Sequence, residues 1–123
     1  MKQTRIVLAD DDVHMLASIE AMLRTDFEII ATVSDGHSLV DAALKLHPDV
    51  VVTDISMPKM NGVEAVQTFR RILPDIRVIF LTMHDGKIYR RAAQRAGAAA
   101  YVLKSAAREE LNNAVYHAME GAV

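Results

Sequence analysis

The 123 residues contain no cysteine, which excludes disulfides, thiolate metal ligands and thiol nucleophiles. Tryptophan is also absent and aromatic residues make up only 5%, so a core has to be built from Val, Ile, Leu, Ala and Met. Three prolines and five glycines are scattered along the chain, and none gather into a linker or low-complexity run. No apolar stretch approaches the ~20 residues of a membrane-spanning helix. Residues 1–5 lead directly into a short apolar run without the layout of a secretory signal. A formal net charge of −2 supplies no basic field of the kind that draws nucleic acid. These absences set the expectation of a soluble cytoplasmic protein with no membrane attachment and no direct nucleic-acid contact.

Hydrophobic residues make up 51% of the chain, enough for one core. They follow two alternating periods. Short apolar runs, most rich in β-branched residues, stand at Ile6–Ala9, Phe27–Val33, Val50–Thr53, Val78–Leu81 and Ala100–Leu103, as expected of strands covered on both faces. Between them lie helical patterns. The first places Met15, Ile19, Met22 and Leu23 on one face, with Asp12 set to cap its start. The second spans Gly36–Leu46 and stops before His47-Pro48. The third runs from Asn61 through Val66, Phe69 and Leu73 to Pro74. The fourth, Gly86–Ala96, is alanine-rich, and the fifth, Ala107–Met119, buries Leu111 and Val115. Strands alternating with helices predict an α/β fold: a five-stranded parallel sheet with helices on both faces. Ligands bind such sheets outside the carboxyl ends of the strands.

Those ends carry chemistry. The first strand runs into Asp10-Asp11-Asp12, the third into Asp54, the fourth into Thr82 and the fifth into Lys104. Taken singly, each reads as a turn, cap or solvated strand terminus. Brought to one edge, they form a set. Converging carboxylates at Asp10, Asp11 and Asp54 repel by several kcal/mol in total at an effective dielectric of ~20, and a hard divalent ion offsets that. Mg2+ (or Mn2+) suits few carboxylates, retained waters and an incoming phosphate. Asp54 is then a carboxylate nucleophile for an aspartyl phosphate. Lys104 balances the phosphoryl oxygens, and Thr82 donates a hydrogen bond to one of them.

Four stretches at these separations resemble the receiver (phosphoacceptor) domain of two-component response regulators: Val7–Asp11, Asp54–Gly62, Leu81–His84 and Ala100–Lys104. The wording around Met57, Met83 and Tyr101 is most similar to receivers attached to helix-turn-helix DNA-binding output domains. The resemblance covers essentially all of residues 1–123, read as one receiver domain without an output module. It implies a flavodoxin-like strand order 2-1-3-4-5. It also implies Asp54 as phosphoacceptor, with Asp11, Asp54 and the Ser56 backbone carbonyl as direct metal ligands and Asp10 supporting them. Thr82 and Tyr101 become a coupled switch, and Lys104 the motif lysine. Ser56 and His84, each two residues beyond a site residue, would tune the lifetime of the phosphate. Proline often follows the motif lysine in the family; Ser105 stands there, and its peptide bond is expected to be trans.

A sensor histidine kinase or phosphotransfer protein is the implied partner. The docking candidates are the apolar Val13, Leu16 and Ala17 beside the site. Homodimerisation on activation is a further expectation, as is a rearranged surface of fourth helix, fifth strand and fifth helix carrying Lys87, Arg90, Arg91 and Arg95. His14, His37, His47 and His117 share no metal-binding spacing and read as surface residues. Two other readings fit parts of the pattern: a phosphate-independent interaction module of the same fold, and a phosphatase of the haloacid-dehalogenase type. The latter lacks the Thr or Val expected where His14 stands.

Overall fold

A computed structural model describes residues 3–120. Five strands, β1 (Arg5–Ala9), β2 (Glu28–Val33), β3 (Val50–Thr53), β4 (Arg77–Thr82) and β5 (Ala100–Leu103), alternate with five α-helices. The helices are α1 (Val13–Arg24), α2 (Gly36–Leu46), α3 (Gly62–Arg70), α4 (Lys87–Arg95) and α5 (Ala107–Glu120). All neighbouring strands pair in parallel, in the order β2-β1-β3-β4-β5. This is the α/β, doubly covered sheet that the hydrophobic periods predict, in the order that the family resemblance implies. A bulge in the β1–β2 pairing shifts the register between Ile6 and Val7.

Successive strand residues point to opposite faces, so the sheet separates two cores. Val7, Val51, Val78 and Phe80 meet Leu39 and Ala43 of α2 and Val66 and Phe69 of α3. On the other side, Ile6, Leu8, Val52, Ile79 and Leu81 meet Ile19 and Leu23 of α1 and Leu111 and Val115 of α5. α4 is the exception. Its only buried residue is Ala93, and Ile88 is 80% exposed.

Helix starts follow side-chain chemistry. The Asp12 carboxylate accepts the His14 and Met15 amides at 3.0 and 3.1 Å, and Asp35 accepts the Ser38 amide at 2.8 Å. Asn61 and Glu64 form a reciprocal capping box on α3, from an Asn-x-x-Glu spacing that the sequence carries. α3 also ends earlier than expected, at Arg70 rather than beside Pro74. Proline disfavours helical backbone at Leu73, and the Ile72 and Leu73 amides instead turn back onto the Phe69 carbonyl. The Lys104–Ser105 bond is trans, as no cis peptide occurs among the described residues.

Two glycines mark places where backbones press together. A Cβ on Gly62 would lie 1.9 Å from the Asp54 carbonyl oxygen, and one on Gly36 would lie 1.9 Å from that of Met60. α3 therefore starts hard against the end of β3, and α2 against the loop joining them. Gly62→Ala should lower stability by about 3 kcal/mol, the upper part of the overpacking range. Gly86→Ala, whose nearest neighbour is a Tyr89 side-chain atom at 3.7 Å, should stay within about 0.5 kcal/mol. Urea denaturation of the two variants checks the contrast.

Candidate functional site

β1, β3, β4 and β5 end at one edge of the sheet and deliver their polar residues there. Asp10 follows β1 and is 2% exposed, and Asp54 follows β3 and is 6% exposed. Exposed Asp11 stands beside them. One carboxylate oxygen from each of the three lies within 4.8 Å of the others. Lys104, immediately after β5, crosses the strand ends. Its ammonium sits 2.8 Å from Asp10 Oδ2 and 2.6 Å from Asp54 Oδ2.

The two buried carboxylates are held alike. Asp10 gives Oδ2 to Lys104 and accepts the Asp12 amide on Oδ1 at 2.9 Å. Asp54 gives Oδ2 to Lys104 and accepts the Ile55 amide on Oδ1 at 2.7 Å, with the Ser56 amide at 3.4 Å. Burial pushes the Asp10 carboxyl above its ordinary 3.8, against the pull of Lys104 and the Asp12 amide. Burial also works against the Lys104 ammonium, but its bonds to Asp10 and Asp54 prevail and hold it above 10.5. One ammonium faces three carboxylates, so the pocket keeps an unbalanced negative charge.

That donor set fits a divalent cation. All three groups offer hard carboxylate oxygens, the preferred ligands of Mg2+, and one oxygen of each lies close enough to the others to share an ion. Asp11, at the open side, is the most accessible of the three. Among the described residues, this aspartate group is the one His, Cys, Asp or Glu cluster with metal-binding spacing. His14, His37, His47 and His117 do not assemble into such a site.

Thr82 is fully buried at the end of β4. Its Oγ1 accepts the His84 amide at 3.2 Å, leaving its own proton for another acceptor. Beyond it the loop into α4 is tied by side chains. The Tyr101 hydroxyl donates to the His84 carbonyl at 2.5 Å. The Arg90 guanidinium lies 4.6 Å over the Tyr101 ring and pairs with Asp85 at 2.8 Å. His84 Nε2 and Ser56 Oγ are 2.8 Å apart, closing a link between the loops that follow β3 and β4. The other neighbour of the imidazole is Tyr89, stacked at 4.1 Å and 12°. Sequence reasoning missed Tyr89; its one signal was an aromatic residue in the fourth helical pattern of a chain that has few.

The apolar candidates on α1 divide. Val13 is 73% exposed and Ala17 is exposed, whereas Leu16 is half-buried against the α1–α5 core. On α4, Lys87, Arg90, Arg91 and Arg95 all face solvent.

Comparison with known proteins adds to this geometry. Residues 6–116 match the family described as response regulator receiver domain. The chain is similar to the transcriptional regulatory protein DegU of Brevibacillus brevis, 34% identical over 119 residues covering 95% of this chain and 50% of that protein. It is also similar to the transcriptional regulatory protein LiaR of Bacillus subtilis, 36% identical over 121 residues covering 95% and 56%. The chain thus spans about half the length of the curated relatives it matches. Among solved structures, a LuxR-family DNA-binding response regulator from Staphylococcus aureus superimposes with a TM-score of 0.88 at 29% identity, covering 94% of this chain and 98% of that one.

Removing the ammonium should expose the cost of the acidic pocket. Lys104→Met is expected to destabilise the protein by about 2–3 kcal/mol at pH 8 without metal; this is less than the loss on breaking a fully dry pair, because the pocket opens to water. The loss should shrink on acidification. The folded chain already holds the Asp10 proton more tightly than the unfolded chain, so stability tied to that proton is present at low pH and disappears as pH rises past the folded-state pKa. Without Lys104 that pKa rises further. Urea melts of both proteins at pH 5 and pH 8 provide the comparison.

Proposed function

The chain belongs to the response regulator receiver domains of two-component systems, and from that membership we propose a phosphorylation-dependent switch whose phosphoacceptor is Asp54. The observation that carries this reading is the shared grip of Lys104 on Asp10 and Asp54 with Asp11 beside them. It gathers a carboxylate nucleophile, a fixed positive charge and a cation-binding group in one pocket.

In the proposed reaction an Asp54 oxygen bonds to phosphorus while the bond from phosphorus to the donor's histidine nitrogen breaks. Asp11 and Asp54, with the Ser56 carbonyl and Asp10 in support, would hold the Mg2+ (or Mn2+), which when bound supplies charge to balance the phosphoryl oxygens. Lys104 leaves its carboxylates in part to face the new oxygens, which are stronger acceptors carrying added charge. Thr82 donates its free proton to one of them, and Tyr101 follows the change at the end of β4. The loop joined by Tyr101, His84 and Arg90 then shifts α4, the α-helix with the fewest buried residues and so of low local stability. Ser56 and His84 flank the phosphoryl position and set how long it survives. A sensor histidine kinase or phosphotransfer protein is the proposed donor, with Val13 and Ala17, and the edge of Leu16, as its docking contacts. Control of transcription by a longer protein with a DNA-binding output accords with relatives named as transcriptional regulators and with the DNA-binding response regulator of similar structure; a homodimer formed on activation completes the proposal. The switch turns over no external substrate and is not a classical enzyme.

Incubation with acetyl phosphate and Mg2+ should add one phosphoryl group by intact mass. Asp54→Asn and chelator should abolish the addition, and Lys104→Ala should slow it by about 10²-fold. Equal labelling of Asp54→Asn would refute the assignment. With a cognate kinase, Val13→Glu should slow transfer while leaving labelling by acetyl phosphate intact; an equal loss with both donors removes the docking role.

A further inference from the structure

The imidazole of His84 is held from two sides. One edge meets the Ser56 hydroxyl at 2.8 Å, and one face lies nearly parallel on the Tyr89 ring, 4.1 Å away. Ser56 belongs to the loop that carries Asp54, and its amide lies 3.4 Å from Asp54 Oδ1. His84 belongs to the loop that carries Thr82, and its amide bonds the Thr82 hydroxyl. The imidazole therefore bridges the loops that follow β3 and β4, the first of which carries Asp54. Tyr89 lies in the first turn of α4, whose N-cap Gly86 offers no side-chain cap. Residues 84–90 are anchored instead by this stack, the Arg90–Asp85 pair and the Tyr101 hydroxyl.

We propose that Tyr89 is a positioning residue for the lifetime of the aspartyl phosphate: it holds the His84 ring across the two loops as a shutter that keeps water from phosphorus. The proposal rests on Asp54 being the phosphoacceptor. In the hydrolysis it limits, a bond forms from water oxygen to phosphorus and the bond from phosphorus to the Asp54 oxygen breaks. Asp54 is restored as a carboxylate, and both water protons leave with inorganic phosphate. His84 shields rather than assists because its Nε2 is engaged by the Ser56 hydroxyl. His84 and Tyr89 lie five residues apart and shift together when phosphorylation moves α4, so the stack is kept; a partner that parts Tyr89 from His84 opens the shutter and shortens the survival of the phosphate.

A stacked aromatic pair is worth roughly a two- to tenfold bias toward the closed position, and that sets the expected size of the effect. With the chain labelled by acetyl phosphate and then freed of donor, Tyr89→Ala should shorten the phosphate half-life by roughly two- to tenfold, and Tyr89→Phe should restore it. His84→Ala should shorten it to a similar extent, and the double variant should be no faster than His84→Ala alone, because the two act as one unit. The ring-current displacement of the His84 protons by NMR should be present in the wild type and Tyr89→Phe and absent in Tyr89→Ala. An unchanged or lengthened half-life in a Tyr89→Ala protein that has lost that displacement overturns the shutter, as does additive acceleration in the double variant. Failure of the wild type to take up any label would instead overturn the assignment of Asp54.

Discussion

The structure turns on one ammonium shared between two buried carboxylates. Lys104 is the first residue after β5, an outer strand, while Asp10 and Asp54 end the two strands β1 and β3 inside the sheet. Contacts of 2.6 and 2.8 Å to both acids tie the carboxyl edge together across intervening β4. Each acid gives its second oxygen to a backbone amide, so neither carboxylate can turn without breaking a bond. Two charges fixed in this way make a preorganised cradle, and electrostatic work of this kind needs little rearrangement at the moment of reaction. The third acid, Asp11, lies at the solvent side and keeps the balance negative.

From that edge the structure loosens in one direction. α1, α2, α3 and α5 all place large apolar residues against the sheet, whereas α4 contributes only alanine. Its first turn is connected to the pocket through polar and aromatic contacts among His84, Tyr89, Arg90 and Tyr101. Such contacts are directional and individually modest, so they exchange more readily than a packed core does. A change of charge at Asp54 thus meets rigid resistance on one side and an adjustable loop on the other.

Most of this was legible in the sequence because the deciding signals were local and repeated. Apolar runs of β-branched residues located all the strands to within a residue or two, and the acids, hydroxyl and lysine stood immediately past them. The strand order was not contained in those periods and came from the family resemblance. α3 was overextended because Leu73 keeps helical spacing with Phe69, although the helix has already ended and Leu73 packs from a turn. Tyr89 escaped notice for a different reason. Its partner is an imidazole in the preceding loop, and no spacing rule relates a loop residue to the helix that follows it. The half-burial of Leu16 was likewise invisible, since it depends on how α1 lies on the core beneath it.

The thin attachment of α4 also bears on how such domains diversify. Substitutions on α1 or α5 risk the core on their face of the sheet, while most positions on α4 are exposed. With Ala93 the only buried residue of the helix and Ala96 just beyond it, its exposed face can be rewritten residue by residue at little cost to folding. A lineage that duplicates this chain can therefore give each copy a different outer face while the acidic pocket underneath stays the same.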